Sequence, residues 1–309
     1  MIDDIILLQL SGLSSIDIFD LLPKIKLANF PLIQLVRSSI NLGIDEDKLT
    51  KLRNVTQRQI NNEKIAVDNA GKEISFITYL DEDYPQNILR FKNFQPILWY
   101  YGNIKIFKMD SIGIGGSRDM SGSGSTAIKN LITGISPLKQ NIISGGASGC
   151  DYKAHSCADE SELNTTLISP EGITRAVDNW YVRKYESNHI GKTGKNNGLL
   201  VVSQFLPSTV WKTENAFARN RLIVHGSKEF YTIECKHGKG GSWATGLDAL
   251  LYKIPLNTFI YKNVPMSAKG NEHLVKLGAN GILEDDILSY AKSKINTKKL
   301  IMPNFLNNG

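Results

Sequence analysis

A chain of 309 residues, 41% hydrophobic and 21% charged, has the composition of a globular protein, which excludes a disordered or fibrous one; its length suits one large core with a small accessory domain. The formal net charge of +6 points toward an anionic partner such as nucleic acid, although a modest excess of lysine also serves solubility. No stretch approaches the roughly 18 consecutive apolar residues of a membrane span, and Met1-Ile2-Asp3-Asp4 puts acids where a signal peptide needs bases, so a cytoplasmic protein without membrane association is expected.

From Met1 to about Asp68 apolar residues recur at helical spacing: Ile2, Ile5, Ile6 and Leu10, then Ile18, Leu21, Leu22 and Ile25, then Leu32, Leu35 and Val36. This predicts a small helical domain over residues 1–68. Leu10-Ser11-Gly12-Leu13-Ser14-Ser15 stands where a helix-hairpin-helix has its DNA-gripping turn, but the Gly-x-Gly of that turn is missing, and a plain helical bundle is the favoured reading. The polar segment around Ala70-Gly71 reads as a linker.

Over residues 69–290 short apolar runs alternate with longer amphipathic ones. Strands are predicted at Ser111 to Ile114, Asn141 to Ile143, Thr165 to Ile168, Leu199 to Val202, Phe230 to Ile233 and Asn257 to Ile260. Strands alternating with helix-length segments predict an α/β fold whose mostly parallel sheet is covered on both faces, with ligands bound beyond the carboxyl ends of its strands. Residues 291–309 carry Lys292, Lys294, Lys298 and Lys299 and end in Asn307-Asn308-Gly309; they read as a basic C-terminal tail, frayed in preference to a DNA-binding arm. Cys150, Cys157 and Cys235 cannot all pair and form no Cys-x-x-Cys, so they read as reduced, buried thiols.

Three glycine loops follow predicted strands. The first is Gly113-Ile114-Gly115-Gly116-Ser117-Arg118, the second Ser144-Gly145-Gly146-Ala147-Ser148-Gly149, and the third Gly238-Lys239-Gly240-Gly241-Ser242. Each lets backbone N–H groups approach an anion and opens a helix whose N-terminus favours negative charge, while Arg118 adds a planar fork for phosphate. If their strands are parallel, all three line one crevice. Between the second and third loops, Phe217-Ala218-Arg219-Asn220-Arg221 offers a stacking face, two guanidinium forks and an amide, the set that single-strand binders use. The competing reading puts Phe217 in the core and leaves Arg219 and Arg221 solvated or paired to Glu214. Lys236 and His237 extend the positive rim, and Trp99, Tyr100, Trp180 and Trp211 read as packing anchors.

These blocks, taken in order, resemble the DNA-processing protein A (DprA, also called Smf) family over roughly Tyr79 to Asp286. The resemblance runs through Tyr84-Pro85 with Leu89, Pro96-Ile97-Leu98-Trp99, Tyr101-Gly102, Gly116-Ser117-Arg118, and Ser144-Gly145-Gly146-Ala147 with Asp151 and His155. It continues through Phe217, Arg219-Asn220-Arg221-Leu222-Ile223, Gly241-Ser242 with Thr245, and Gly270-Asn271. Residues 1–68 resemble, more loosely, the family's small SAM-like or helix-hairpin-helix-like domain. The resemblance implies an extended Rossmann-like domain that binds single-stranded DNA, usually as a homodimer, and helps load the RecA recombinase, with no catalytic reaction and no cofactor. It also implies that Arg118 grips a phosphate and that Phe217, Arg219, Asn220 and Arg221 line the pocket beside the glycine loops. The chain departs from the family at Cys150, Ala218, Gln204 and Trp243, and over residues 172–198, which hold Arg175, Arg183, Lys184, Lys192 and Lys195.

Two other readings compete. A nucleotide sensor, or an enzyme similar to the lysine-decarboxylase-like phosphoribohydrolases, would use the same loops, yet Asp248 is the one acid at the start of the helix after the third loop. Asp151, His155 and Cys157 suggest a Cys-His or metal site, against which a structural Asp151–His155 hydrogen bond is the simpler reading. A protein-docking role for the helical module or the last strand and helix leaves no pattern that sequence alone reveals.

Overall fold

The computed structural model of the chain describes residues 1–28, 30–37, 43–92, 94–189 and 198–301. Lys192, Lys195 and the expected tail residues 302–309 lie outside them.

Five helices come first: α1 (Ile2–Leu10), α2 (Ser15–Ala28), α3 (Leu32–Arg37), α4 (Glu46–Arg53) and α5 (Gln57–Asn69). A capping box starts α5, where Thr56 and Gln59 satisfy each other's backbone N–H groups. Then β1 (Ile74–Thr78), α6 (Gln86–Leu89) and β2 (Ile97–Gly102) lead into β3 (Ser111–Gly115), α7 (Gly122–Ile135), β4 (Asn141–Ser144), α8 (Cys150–Glu160) and β5 (Thr165–Ser169). Two helices, α9 (Ile173–Ala176) and α10 (Trp180–Asn188), precede β6 (Leu199–Ser203). The chain continues through α11 (Thr213–His225), β7 (Glu229–Thr232), α12 (Gly241–Leu251), β8 (Leu256–Ile260), α13 (Asn271–Lys276), β9 (Asn280–Leu283) and α14 (Ile287–Ile301).

The strands form one sheet in the order β1-β2-β6-β5-β4-β3-β7-β8-β9. From β6 to β9 every pairing is parallel, and β2 alone runs antiparallel to its neighbours. All six predicted strands are present, within an α/β fold with a mostly parallel sheet. Alternate residues divide the core between the two faces: Ile112, Ile114, Ile142 and Tyr231 pack under α7 and α8, whereas Ile143, Ile168, Leu200 and Val202 pack under α11 and α12. The parallel strands inside the edges are buried on both faces, which explains their largely apolar runs.

The N-terminal helices share a core with the sheet. Ile5, Leu8, Leu21 and Ile60 cluster with Trp99, Leu167 and Val201. Polar bonds fix the same seam: Trp99 Nε1 donates to Gln9 Oε1 at 2.8 Å, and the buried Glu63 accepts from Ser208 N at 2.9 Å and Ser208 Oγ at 2.6 Å.

The expected break at residue 291 falls inside α14. That helix packs on α7 so closely that a Cβ on Gly134 would lie 2.4 Å from Ala291 Cβ, and Ala291 is fully buried. Lys294, expected in a frayed tail, bonds Glu229 at 2.5 Å and lies over the ring of Tyr290. The three cysteines are free and buried, and burial raises their thiol pKa values, that of Cys235 to about 12. Among the described residues no helix is long and apolar enough to cross a membrane.

Candidate nucleic-acid interface

From β3 the chain steps outward through β4, β5 and β6, then returns to lay β7 against the other side of β3. The loops leaving the carboxyl ends of β3 and β7 therefore part, and a crevice of about 470 Å³ opens there. One wall is the first loop from Gly115 to Asp119; another is the third loop with Lys239, Gly240, Gly241 and Ser242. Opposite stands the side of α11 that presents Ala216, Phe217, Arg219 and Asn220, preceded by Trp211.

The three helices behind the glycine loops are not equivalent. At α7 the N-terminus is already occupied: Glu234, fully buried just past β7, accepts from Ser121 N at 3.1 Å and from the hydroxyls of Ser121 and Ser267. A Cβ on Gly124 would sit 2.4 Å from Glu234 Oε1, so glycine there is what lets the carboxylate reach the helix end. An internal anion thus holds the position that a pyrophosphate takes in dinucleotide-binding folds. At α12, by contrast, no side chain among the described residues caps the end, and Gly240 (φ 86°), Gly241 and Ser242 face the crevice. With Arg118 and Lys239 exposed on the rim, this end is the anion-seeking part of the site.

Arg219 is not a surface fork. It is 5% exposed, and its Nη1 donates to Ile168 O at 2.8 Å. A Cβ on Gly145 would fall 1.7 Å from Nη1 and 2.6 Å from Asp151 Oδ2, so the second loop uses glycine to admit a guanidinium beside a buried carboxylate. Burial lowers the pKa of Arg219 and raises that of Asp151, while each charge offsets part of the other's shift. Among the described residues Arg219 Nε has no hydrogen-bond partner, although the side chain borders the crevice. Buried unpaired donors are costly.

Exposure at the opposite wall favours stacking. Phe217 is 42% exposed and Trp211 46%, both bordering the crevice, so Phe217 is not core and Trp211 is not the packing anchor expected. Trp99 is fully buried and does anchor packing.

Of the predicted residues, Gly116, Ser117, Arg118, Phe217, Arg219, Asn220, Lys239, Gly240, Gly241 and Ser242 border this crevice, and four do not. Ser144 is buried and donates to Ile114 O at 2.6 Å. Gly145 makes room for Arg219, and Gly146 (φ 73°) packs toward Leu167. Arg221 points to the far side of α11, beside a small pocket with Gln204 and His225. The expected Asp151–His155 bond is also replaced: His155 Nδ1 meets Thr165 Oγ1 at 2.7 Å, and burial lowers its pKa to about 3. Trp211 and Glu234 were not anticipated. Trp211 stands only two residues before α11, and Glu234 directly follows a predicted strand.

Carboxylates bordering the crevice are Asp119 and Asp151, the latter facing Arg219; Asp248 does not border it. Among the described residues no group of three His, Cys, Asp or Glu side chains could hold a metal ion.

Residues 75–292 match the model of the family described as DNA recombination-mediator protein A. The chain belongs to this family. DNA processing protein DprA of Streptococcus pneumoniae is 28% identical over 163 residues, which cover 52% of this chain and 54% of that one. The chain spans about half the length of the curated relatives it matches. The X-ray structure of the S. pneumoniae DprA superimposes with a TM-score of 0.72 at 21% identity, covering 94% of this chain and 97% of that one. Helicobacter pylori DNA processing protein A, whose structure concerns a single-stranded DNA binding mode, gives a TM-score of 0.60 at 21% identity, with 74% and 98% covered. Such superpositions establish a shared Rossmann-like fold.

Proposed function

We propose that this protein binds single-stranded DNA across the β3/β7 crevice, as a member of a DNA-processing family that acts in recombination. The observation that carries the reading is the pairing, on one crevice, of two half-exposed aromatic faces with a cationic rim. Phe217 and Trp211 offer stacking surfaces to unpaired bases, which every base can use. Arg118, Lys239 and the open end of α12 serve the phosphates between those bases. Glu234 at the α7 N-terminus disfavours a free dinucleotide, whose pyrophosphate would compete with a fixed internal carboxylate. We extend the proposal, on family membership, to a cytoplasmic homodimer that hands single strands to a RecA-type recombinase without catalysing a reaction of its own.

Fluorescence anisotropy of a labelled oligothymidylate tests the reading. Arg118→Ala and Lys239→Ala should each weaken binding and lower the slope of log K against log salt by about 0.7, the contribution of one lost phosphate contact on a single strand. Unchanged affinity and slope in both variants would place the DNA elsewhere.

A further inference from the structure

Outside the crevice, the described surface carries a second exposed aromatic group, with Lys184 on one side of it and the acids Asp159, Glu160 and Asp178 nearby. Trp180, the first residue of α10, is 51% exposed and lies against Tyr152 with ring centroids 4.2 Å apart and tilted by 34°. Lys184, one helical turn on, places Nζ 5.6 Å from the centre of the Tyr152 ring and donates to its hydroxyl at 2.8 Å. Tyr152 also packs against the core beside Tyr181, whereas Trp180 is the exposed partner: Tyr181, Val182 and Tyr185 are the α10 residues that enter the core.

Hydrogen bonds line the path between this ledge and the crevice. Tyr152 lies in the first turn of α8, and its N–H bonds the carbonyl of Ala147, itself a crevice residue, at 3.0 Å. On the other side Gly172 N bonds Thr209 O at 2.9 Å and Thr174 Oγ1 bonds Pro207 O at 2.7 Å, which ties α9 to the loop that ends at Trp211. The carboxyl ends of β3, β4, β5 and β6 lie side by side along this path, with the exposed Arg175 on α9 and Lys212 beside Trp211.

We infer that the Trp180–Tyr152 ledge is a second stacking station for the same single strand, taking bases that emerge from the crevice past the second glycine loop. The inference rests on the proposed binding of single-stranded DNA in the crevice. An aromatic face accepts any base, and the exposed Arg175 and Lys212 along the path attract the intervening phosphates, so the ledge lengthens the bound segment without adding sequence preference.

The test is a length series of oligothymidylates from about 4 to about 16 nucleotides, the span of site sizes among single-strand binders, measured with the full chain and with Trp180→Ala and Trp180→Phe. Trp180→Ala should weaken the longest oligomers by about 5- to 150-fold, the worth of one stacked base. It should leave the shortest ones that bind unchanged, and Trp180→Phe should recover most of the loss. Equal affinity of wild type and Trp180→Ala at every length overturns the ledge and leaves the crevice reading intact. An equal loss at every length also overturns it, because Trp180 would then act through the shape of the crevice. If the unaltered protein binds no oligomer at all, the crevice reading itself fails.

Discussion

Arg219→Ala separates a buried structural cation from a surface DNA contact. The guanidinium is 5% exposed, bonds Ile168 O at 2.8 Å, and flanks Gly145 together with the Asp151 carboxylate. Its removal leaves Asp151 buried with its main opposing charge gone, and removing one partner of a buried pair costs about 3–5 kcal/mol. Against a total stability of about 5–15 kcal/mol that is a large share. The loss should depend on pH. Burial holds the Asp151 carboxyl above its usual 3.8 and Arg219 counteracts that rise, so without Arg219 the folded-state pKa climbs further. A carboxyl raised in the folded state binds more protons there than in the unfolded chain, so stability falls as pH rises from about 3.8 through the folded value. The difference between wild type and Arg219→Ala in urea unfolding should therefore be smallest near pH ~4 and full-sized near pH ~7.5. Adding Asp151→Asn should restore part of the loss. A cost below about 1 kcal/mol, the same at both pH values, would refute the buried coupling and return Arg219 to the surface role its sequence context suggested.

Phe217→Ala and Trp211→Ala should each cost oligonucleotide affinity about 1–3 kcal/mol with melting temperature nearly unchanged, because both rings are about half exposed; a fall in melting temperature with intact affinity would make them packing residues. Glu234→Ala should destabilise by about 3 kcal/mol in urea unfolding, since it strips the acceptor from Ser121 N and from the Ser121 and Ser267 hydroxyls at a fully buried position. A loss under about 1 kcal/mol would mean that the α7 end is served by solvent. His155 and His225 are held by burial at pKa values of about 3 and about 4, so each is neutral when folded and charges only on unfolding. Their contribution is present above about pH 6.5 and lost as pH falls toward those values. NMR titration should find both rings neutral at pH ~5.5, and a ring charging near pH ~6.5 in the folded protein would contradict this.

The parallel strands were legible because burial on both faces favours short, largely apolar runs, and three of those runs led into glycine loops. Strands β1 and β9 carried weaker signals: Ile74-Ser75-Phe76 alternates at a half-covered edge, and Asn280-Gly281 opens β9 at the other edge with both residues exposed. The candidate site divided similarly. Phe217 and Asn220, three apart, share a helical face, whereas Arg219 and Arg221, two apart, point about 200° from each other. Helical geometry therefore turns the two arginines to opposite sides of α11, and it is Arg219, on the sheet side, that borders the crevice while Arg221 lies beside the pocket with Gln204 and His225. The burial of Arg219 was not legible, because Asp151, Gly145 and Ile168 meet it only through the order of the strands. Glu234 was hidden for the same reason: its partners Ser121 and Ser267 lie 113 and 33 residues away. Helical spacing revealed the helices of α14 and of residues 1–68 unevenly, since lysines on α14 masked the small residues, Ala291 facing Gly134, by which it docks on α7.

The central claim, that a polynucleotide strand lies across the β3/β7 crevice, is tested most directly by competition. A labelled oligothymidylate bound to the protein should be displaced by unlabelled single strands, far less well by duplex DNA of equal length, and not by mononucleotides at millimolar concentration, with all displacement weakening as salt rises. Displacement by a mononucleotide as effective as that by the oligomer, and insensitive to salt, would contradict the account.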